Sequence, residues 1–188
     1  MSALKVGVLA VQGAFAEHCA IVRKLGAEAA EIRAVSDLEG IDALILPGGE
    51  STVQGKLLKE LGLFSPLKNM IAQGLPVYGT CAGMILLAAE IENDSRRHFA
   101  VMDISVRRNA YGRQLGSTLI RGSFADMEDV PMPFIRAPYI YKTGTGVEIL
   151  SRRQGFTTAV RQGKMLATAF HPEMTCDLRV HQYFLEMI

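Results

Sequence analysis

Between residues 77 and 84 the chain reads VYGTCAGM. A short apolar run enters a G-x-C-x-G sequence, Gly79, Cys81 and Gly83, and a longer apolar run, 82–91, follows it. A cysteine that only fills a core has no need of glycines on both sides. A strand, a tight glycine turn and a helix make a nucleophile elbow, in which the glycines permit the sharp turn and keep neighbours off the side chain. This stretch constrains the fold strongly, because it needs a strand whose carboxyl end carries a site and a helix that begins there. It predicts Cys81 exposed at a helix N-terminus, where the helix dipole and free N–H groups stabilise a thiolate. The N–H of Ala82 is then placed to donate to an oxyanion. A buried core cysteine beside a turn is the blander alternative.

The rest of the first half agrees with such a sheet. Residues 6–11 are an apolar, β-rich run ending at Gln12-Gly13, and 14–25 carry Phe15, Cys19, Val22 and Leu25 at helical spacing before Gly26. Strands are expected at 28–35, 42–46 and 76–78, with helices at about 52–61 and 66–73. Alternating strands and helices point to a parallel sheet covered on both faces. The second half changes character. Short strands at 101–107, 117–121, 134–136, 147–150, 157–161 and 165–170 have few helices between them, and several are expected to be antiparallel. A helix over 177–188 closes the chain, with Val180, Tyr183, Phe184 and Met187 on one stripe.

With 188 residues, 49% of them hydrophobic, the chain suits one compact domain with a sizeable core. Its 20 basic and 19 acidic side chains leave a formal charge of +1 and no long charge run, so nothing predicts a nucleic-acid or anionic-membrane partner. The three cysteines, Cys19, Cys81 and Cys176, are widely spaced and form no C-x-x-C pair. That argues against a disulfide framework or a zinc site and for a reducing, cytoplasmic setting. No run reaches the ~18 apolar residues of a membrane span, and the apolar start is too short for a secretory leader.

A thiolate nucleophile needs a base held by a third group. Of the four histidines, His18, His98, His171 and His181, only His171 sits at a strand end with an acid two residues on, in AFHPEM. Pro172 stiffens the link, and Glu173 is placed to orient the imidazole; a plain strand-ending turn is the other reading. ILPGGEST, residues 45–52, ends a strand and opens a helix, with Ser51 as a candidate N-cap. Gly48 and Gly49 let backbone N–H groups face a ligand and supply a second oxyanion donor; otherwise they make only a turn. Glu50 suits a site for an amine or amide. The stretch is not a phosphate loop, since neither G-x-x-x-x-G-K-[ST] nor an early G-x-G-x-x-G occurs. His18 reads as structural or interfacial, His98 and His181 as surface residues, Cys19 as core, and Cys176 as a cysteine without an elbow.

PGGEST, GTCAGM and FHPE, in that order, resemble the class I (triad) glutamine amidotransferases. AVQGAFAEH (10–18), RRNAYGRQ (107–114) and FIRAP (134–138) narrow the likeness to the glutaminase subunits of the pyridoxal 5′-phosphate synthase complex. The likeness runs from about residue 5 to the C-terminus. It implies a single glutamine amidotransferase domain over 1–188, with a three-layer, flavodoxin-like α/β fold. In that fold a mostly parallel central sheet is flanked by helices, and antiparallel strands follow in the second half. It implies Cys81 as nucleophile, His171 as general base and Glu173 as its orienting acid. Gly48, Gly49 and Glu50 match the glutamine-contacting loop, and Gly49 with Ala82 the oxyanion hole. Arg108, Ile135 and Arg136 match substrate-lining positions, and Gln12 a loop that responds to the partner. Val53-Gln54 depart mildly from the family, which more often has small or hydroxyl residues there. The implied reaction is hydrolysis of L-glutamine to glutamate and ammonia without cofactor or metal. The implied partner is a (β/α)8-barrel synthase subunit within a large hetero-oligomer. In the family the glutaminase alone is nearly inactive, and complex formation orders its oxyanion hole.

Other readings stay open on the residues alone. A cysteine α/β-hydrolase shares the elbow, with Asp126 or Asp129 as an upstream acid. A glutaminase of another pathway shares the PGGEST, GTCAGM and FHPE stretches. A non-catalytic binding module on the same scaffold would keep the elbow idle.

Overall fold

The computed structural model describes residues 4–108 and 117–188. Its first half lays down strands β1 (Lys5–Leu9), β2 (Glu28–Ile32), β3 (Ala43–Leu46) and β4 (Val77–Thr80). Helix α1 (Phe15–Lys24) lies between β1 and β2, and α2 (Ser51–Glu60) and α3 (Phe64–Ala72) lie between β3 and β4. Every residue of β3, ALIL, and of β4, VYGT, is buried, as expected of strands covered on both faces.

The main sheet runs in the order β2-β1-β3-β4-β12-β11-β9-β6-β5, where β12 is Met165–Thr168, β11 Phe156–Gln162, β9 Tyr139–Thr143, β6 Met102–Arg107 and β5 Ala88–Ile91. From β2 to β12 every pairing is parallel, which is the strand order of a flavodoxin-like, doubly wound sheet. Beyond β12 the pairings to β11, β9 and β6 are antiparallel, and β10 (Glu148–Arg153) joins β11. The α/β architecture with a mostly parallel sheet flanked by helices, and antiparallel strands in the second half, is therefore as expected.

Several elements differ from the sequence reading. The apolar run 82–91 divides into α4 (Ala82–Leu87) and β5. Phe99 and Val101 donate their N–H groups to the carbonyls of Leu86 and Leu87 at 2.9 and 3.0 Å, taking acceptors that a longer helix would use. The segment expected at 134–136 is the end of a longer strand, β8 (Met127–Ile135), which among the described residues pairs only with β7 (Ser117–Phe124), as a separate two-stranded sheet. β9 was not foreseen, and the C-terminal helix α5 is shorter, Arg179–Leu185. Its Val180 and Phe184 are buried as expected, and Phe184 packs on Tyr78 at 5.5 Å between ring centres. Among the described residues, no helix is long and apolar enough to cross a membrane.

Candidate active site

The elbow forms where β4 ends. Cys81 has φ 48° and ψ −98°, a backbone conformation that L-residues rarely adopt and that tends to mark functional sites. Its N–H donates to the Thr168 carbonyl of β12 at 2.8 Å, which anchors the turn to the neighbouring strand. Both glycines are required by close approach. A Cβ on Gly79 would lie 2.6 Å from the Gly83 carbonyl group, and one on Gly83 would lie 2.8 Å from the carbonyl carbon of Leu46. Ala82 opens α4, where the first N–H groups have no intrahelical acceptor. The expectation of an exposed Cys81 is corrected: only 7% of it is accessible. It sits in the floor of a cleft walled by Gly48, Gly49, Ile135 and His171.

His171 reaches the same cleft from the end of β12. Its N–H donates to the Pro133 carbonyl of β8 at 2.8 Å, and a 3₁₀ turn, Pro172–Met174, follows directly. That turn carries Glu173 back under the ring, so that Nδ1 and Glu173 Oε1 are 2.7 Å apart. Glu173 is buried behind the imidazole. Burial pushes the imidazole down, but the Cys81 thiol and the Glu173 carboxylate outweigh it and carry His171 up to about 10. Nε2 is buried without a hydrogen-bond partner, and the Cys81 thiol is one of the groups that raise the ring.

The loop 47–52 forms the opposite wall. Glu50, not Ser51, is the N-cap of α2, and its Oε1 accepts the Thr52 N–H at 3.1 Å. The helix starts one residue earlier than expected because the longer Glu50 side chain reaches round to the cap. Gln12 braces the loop: its Oε1 accepts the Glu50 N–H at 2.8 Å. The Gly48 carbonyl accepts the Ala14 N–H at 3.1 Å. A trans peptide points its C=O and N–H opposite ways, so this bond also sets the direction of the Gly49 N–H. Gln54 is wholly buried and donates to the carbonyls of both Gln12 and Pro47, at 3.0 and 3.1 Å. The departure noted at 53–54 thus places a strut between the two loops.

Gln12, Glu50, Arg108, Ile135 and Arg136 all line the cleft. Arg108 donates to Ser51 Oγ at 2.6 Å and Thr52 Oγ1 at 2.8 Å, and pairs with Asp94 at 3.1 Å and Glu50 at 3.3 Å. Asp94 was missed in the sequence. It bonds Arg96 and Arg108, and those cations hold its carboxyl well below the usual range, Arg96 contributing most. Arg96 is two residues away, but the pairing with Arg108, fourteen residues on, leaves no local pattern in the sequence. Arg136 adopts φ 46° just after β8. Residues 109–114 of the RRNAYGRQ stretch lie outside the described residues.

The other histidines correct the sequence reading. His98 and His181 are buried, at 8% and 1% exposure, rather than on the surface, and His18 is wholly buried. His98 packs where Gly55 of α2 leaves room. The upstream acids of the hydrolase reading stand elsewhere: Asp129 pairs with Arg121 at 2.8 Å and Asp126 is exposed, while Glu173 takes the Nδ1 of His171. Among the described residues, no group of three or more His, Cys, Asp or Glu is arranged to hold a metal ion.

Comparison with known proteins agrees with the architecture. A model of the SNO glutamine amidotransferase family matches residues 8–188. The "Pyridoxal 5'-phosphate synthase subunit PdxT" of Desulfitobacterium hafniense (strain Y51) is 54% identical over 186 residues, 98% of this chain and 94% of that protein. The PdxT subunit of Bifidobacterium longum (strain NCC 2705) is 51% identical, covering 96% of this chain and 99% of that one. A crystal structure of a glutamine amidotransferase superposes with TM-score 0.92 at 46% identity, over 97% of each chain. PurLQS from Thermotoga maritima shares the fold, at TM-score 0.73 and 13% identity over 99% of each chain.

Proposed function

The chain belongs to the SNO glutamine amidotransferase family and is a glutaminase subunit of pyridoxal 5′-phosphate synthase, and we propose that Cys81, His171 and Glu173 carry its reaction. The observation behind this reading is the 2.7 Å bond between His171 Nδ1 and Glu173 Oε1, set beside a cysteine held at φ 48°.

In this reading the Cys81 sulfur attacks the side-chain amide carbon of L-glutamine. The N–H groups of Ala82 and Gly49 receive the charge that develops on the amide oxygen. His171 gives a proton to the departing ammonia, leaving a γ-glutamyl thioester. Water, deprotonated by His171, then cleaves the thioester and releases glutamate. Glu173 holds Nδ1–H so that Nε2 faces the reacting atoms, and it stabilises the imidazolium. Glu50 meets the substrate ammonium and Arg108 its carboxylate, with Ile135 and Arg136 closing the side of the cleft. No step needs a cofactor or a metal.

The partner is a synthase subunit that takes up the ammonia. We assign it a (β/α)8-barrel fold and the complex a large hetero-oligomer, with Gln12 in the loop that responds to docking and orders the oxyanion hole. The chain acts as one amidotransferase domain over 1–188. Its three free cysteines suit a reducing compartment, and we place it in the cytoplasm.

The test is glutamate released from L-glutamine by the protein alone and with the synthase subunit, with Cys81→Ala as the blank. Low activity alone, a strong rise with the partner and none in the variant are expected. Activity that survives Cys81→Ala would overturn the assignment.

A further inference from the structure

Behind the cleft lies a line of buried polar groups that the reaction above does not use. His18 on α1 and His181 on α5 are 163 residues apart in sequence, yet His18 Nδ1 and His181 Nε2 are 2.8 Å apart. His18 Nε2 is 3.2 Å from Thr80 Oγ1, the residue before Cys81, and 3.7 Å from Glu173 Oε2. That carboxylate oxygen has no hydrogen-bond partner, and neither does His181 Nδ1 at the far end. Burial keeps both rings neutral, His181 at about 4 and His18 well below its usual range, the latter with further push from His181 and His171.

Two neutral rings that share one hydrogen bond can be arranged in two ways. If His18 Nδ1–H donates, His181 is left with an N–H buried away from any acceptor, and His18 turns a bare Nε2 lone pair toward the Glu173 carboxylate. Both are unfavourable, since orphaned buried N–H groups are rarer than under-used acceptors. If His181 Nε2–H donates, only an acceptor is left over at His181 Nδ1. His18 Nε2–H then donates to Thr80 Oγ1 and presents its positive end to Glu173 Oε2. At 3.7 Å that last approach is an electrostatic contact rather than a hydrogen bond.

We propose that His181 and His18 are positioning residues for Glu173, forming a directed relay of N–H groups, His181 to His18 to Glu173, that fixes the carboxylate oxygen turned away from His171. The proposal rests on the assignment of Cys81, His171 and Glu173 above. His171 orients one carboxylate oxygen and His18 faces the other, so Glu173 cannot swing without leaving His18, which His181 of α5 and Thr80 at the end of β4 hold in place. The relay thereby ties the C-terminal helix to the geometry of a base that lies on another element.

Two measurements test this. Histidine ¹⁵N shifts of the full-length protein report tautomers directly, and Nε2–H is expected on both His18 and His181. An Nδ1–H tautomer at either ring overturns the proposal, whatever the glutaminase assay shows. In the complex with the synthase subunit, His181→Leu removes the donor and keeps apolar bulk, whereas His181→Gln keeps an N–H near the same place. His181→Leu is expected to lower kcat about tenfold with KM unchanged, less than the ~10² of a full ångström of misplacement, and Gln to restore most of it. Equal kcat in the two variants overturns the proposal, and should the leucine variant not fold, the wild-type tautomers decide. Loss of the catalytic assignment would show separately, as glutaminase activity in Cys81→Ala.

Discussion

Gly48 packs directly against the imidazole of His171. A Cβ at that position would stand 2.8 Å from Nδ1 and closer still to Cε1. The ring therefore takes its place only because residue 48 has no side chain. The backbone of Gly48 is not in the left-handed region, so alanine is compatible with the chain path and conflicts only with the ring. Gly48→Ala is expected to fold normally and to displace the imidazole from Cys81, lowering kcat roughly 10²-fold, as about an ångström of misplacement does. Glutamate release in the synthase complex, read beside a melting curve, checks it. Full activity in a folded variant would mean that the ring position does not matter.

Gln54 is expected to matter for a different reason. Its Nε2 serves the carbonyls of Gln12 and Pro47, and the side chain is wholly buried. In Gln54→Leu both carbonyls lose that donor, each orphaned group costing about 1–3 kcal/mol. The change also removes Oε1, which is itself buried without a partner, so the net loss should fall near the lower end, about 1 kcal/mol. Val53→Ala next to it is the control: Val53 is 42% exposed, and substitutions at such positions stay within about 0.5 kcal/mol. Denaturant midpoints of the two variants should differ accordingly.

The features that were legible in the sequence are those encoded over a few neighbouring residues. The elbow around Cys81 is written in two glycines, and the His171–Glu173 bond in a two-residue spacing with Pro172 between. The parallel core followed from alternating strands and helices, though not its strand order. What was not legible depends on distant partners. His18 and His181 meet only because α1 and α5 pack behind the same strand end, and no local pattern distinguishes His181 from a surface histidine on an amphipathic helix. The apolar run after Cys81 reads equally well as one helix, and the bonds from Phe99 and Val101 to its carbonyls decide otherwise. Asp94 is ordinary in sequence and acquires its place only once Arg108 is brought beside it.

The buried histidines give the protein a defined acid limit. His181 sits at about 4 in the fold against about 6.5 in an unfolded chain, and His18 is depressed as well. A depressed folded value means that the unfolded chain binds more protons below about 6.5, so the stabilisation is complete above that pH and is lost as pH falls toward 4. His171 has the opposite sign: raised to about 10, its contribution is full below about 6.5 and fades as pH rises through 10. Denaturation midpoints should therefore fall steeply between pH 6.5 and 4. His181→Gln, which removes one titration worth at most about 3 kcal/mol over that interval, should flatten the slope. An unchanged slope would mean that His181 is protonated in the fold.

The three cysteines should separate cleanly by reactivity. Cys19 is 1% exposed, and burial raises its thiol, which makes it a poor nucleophile. Cys176 is exposed but stands outside the cleft, and serves as the surface reference. Cys81 lines the cleft with a raised imidazole beside it, and a thiolate rather than a thiol is what attacks an alkylating agent. Limited iodoacetamide, followed by peptide mass spectrometry, should therefore label Cys81 ahead of both others, and L-glutamine should protect Cys81 alone. His171→Ala should bring its rate down toward that of Cys176. If Cys81 reacts no faster than Cys176 in the unmodified protein, the sulfur is not activated by its surroundings, and the elbow is a structural turn rather than a site of covalent chemistry.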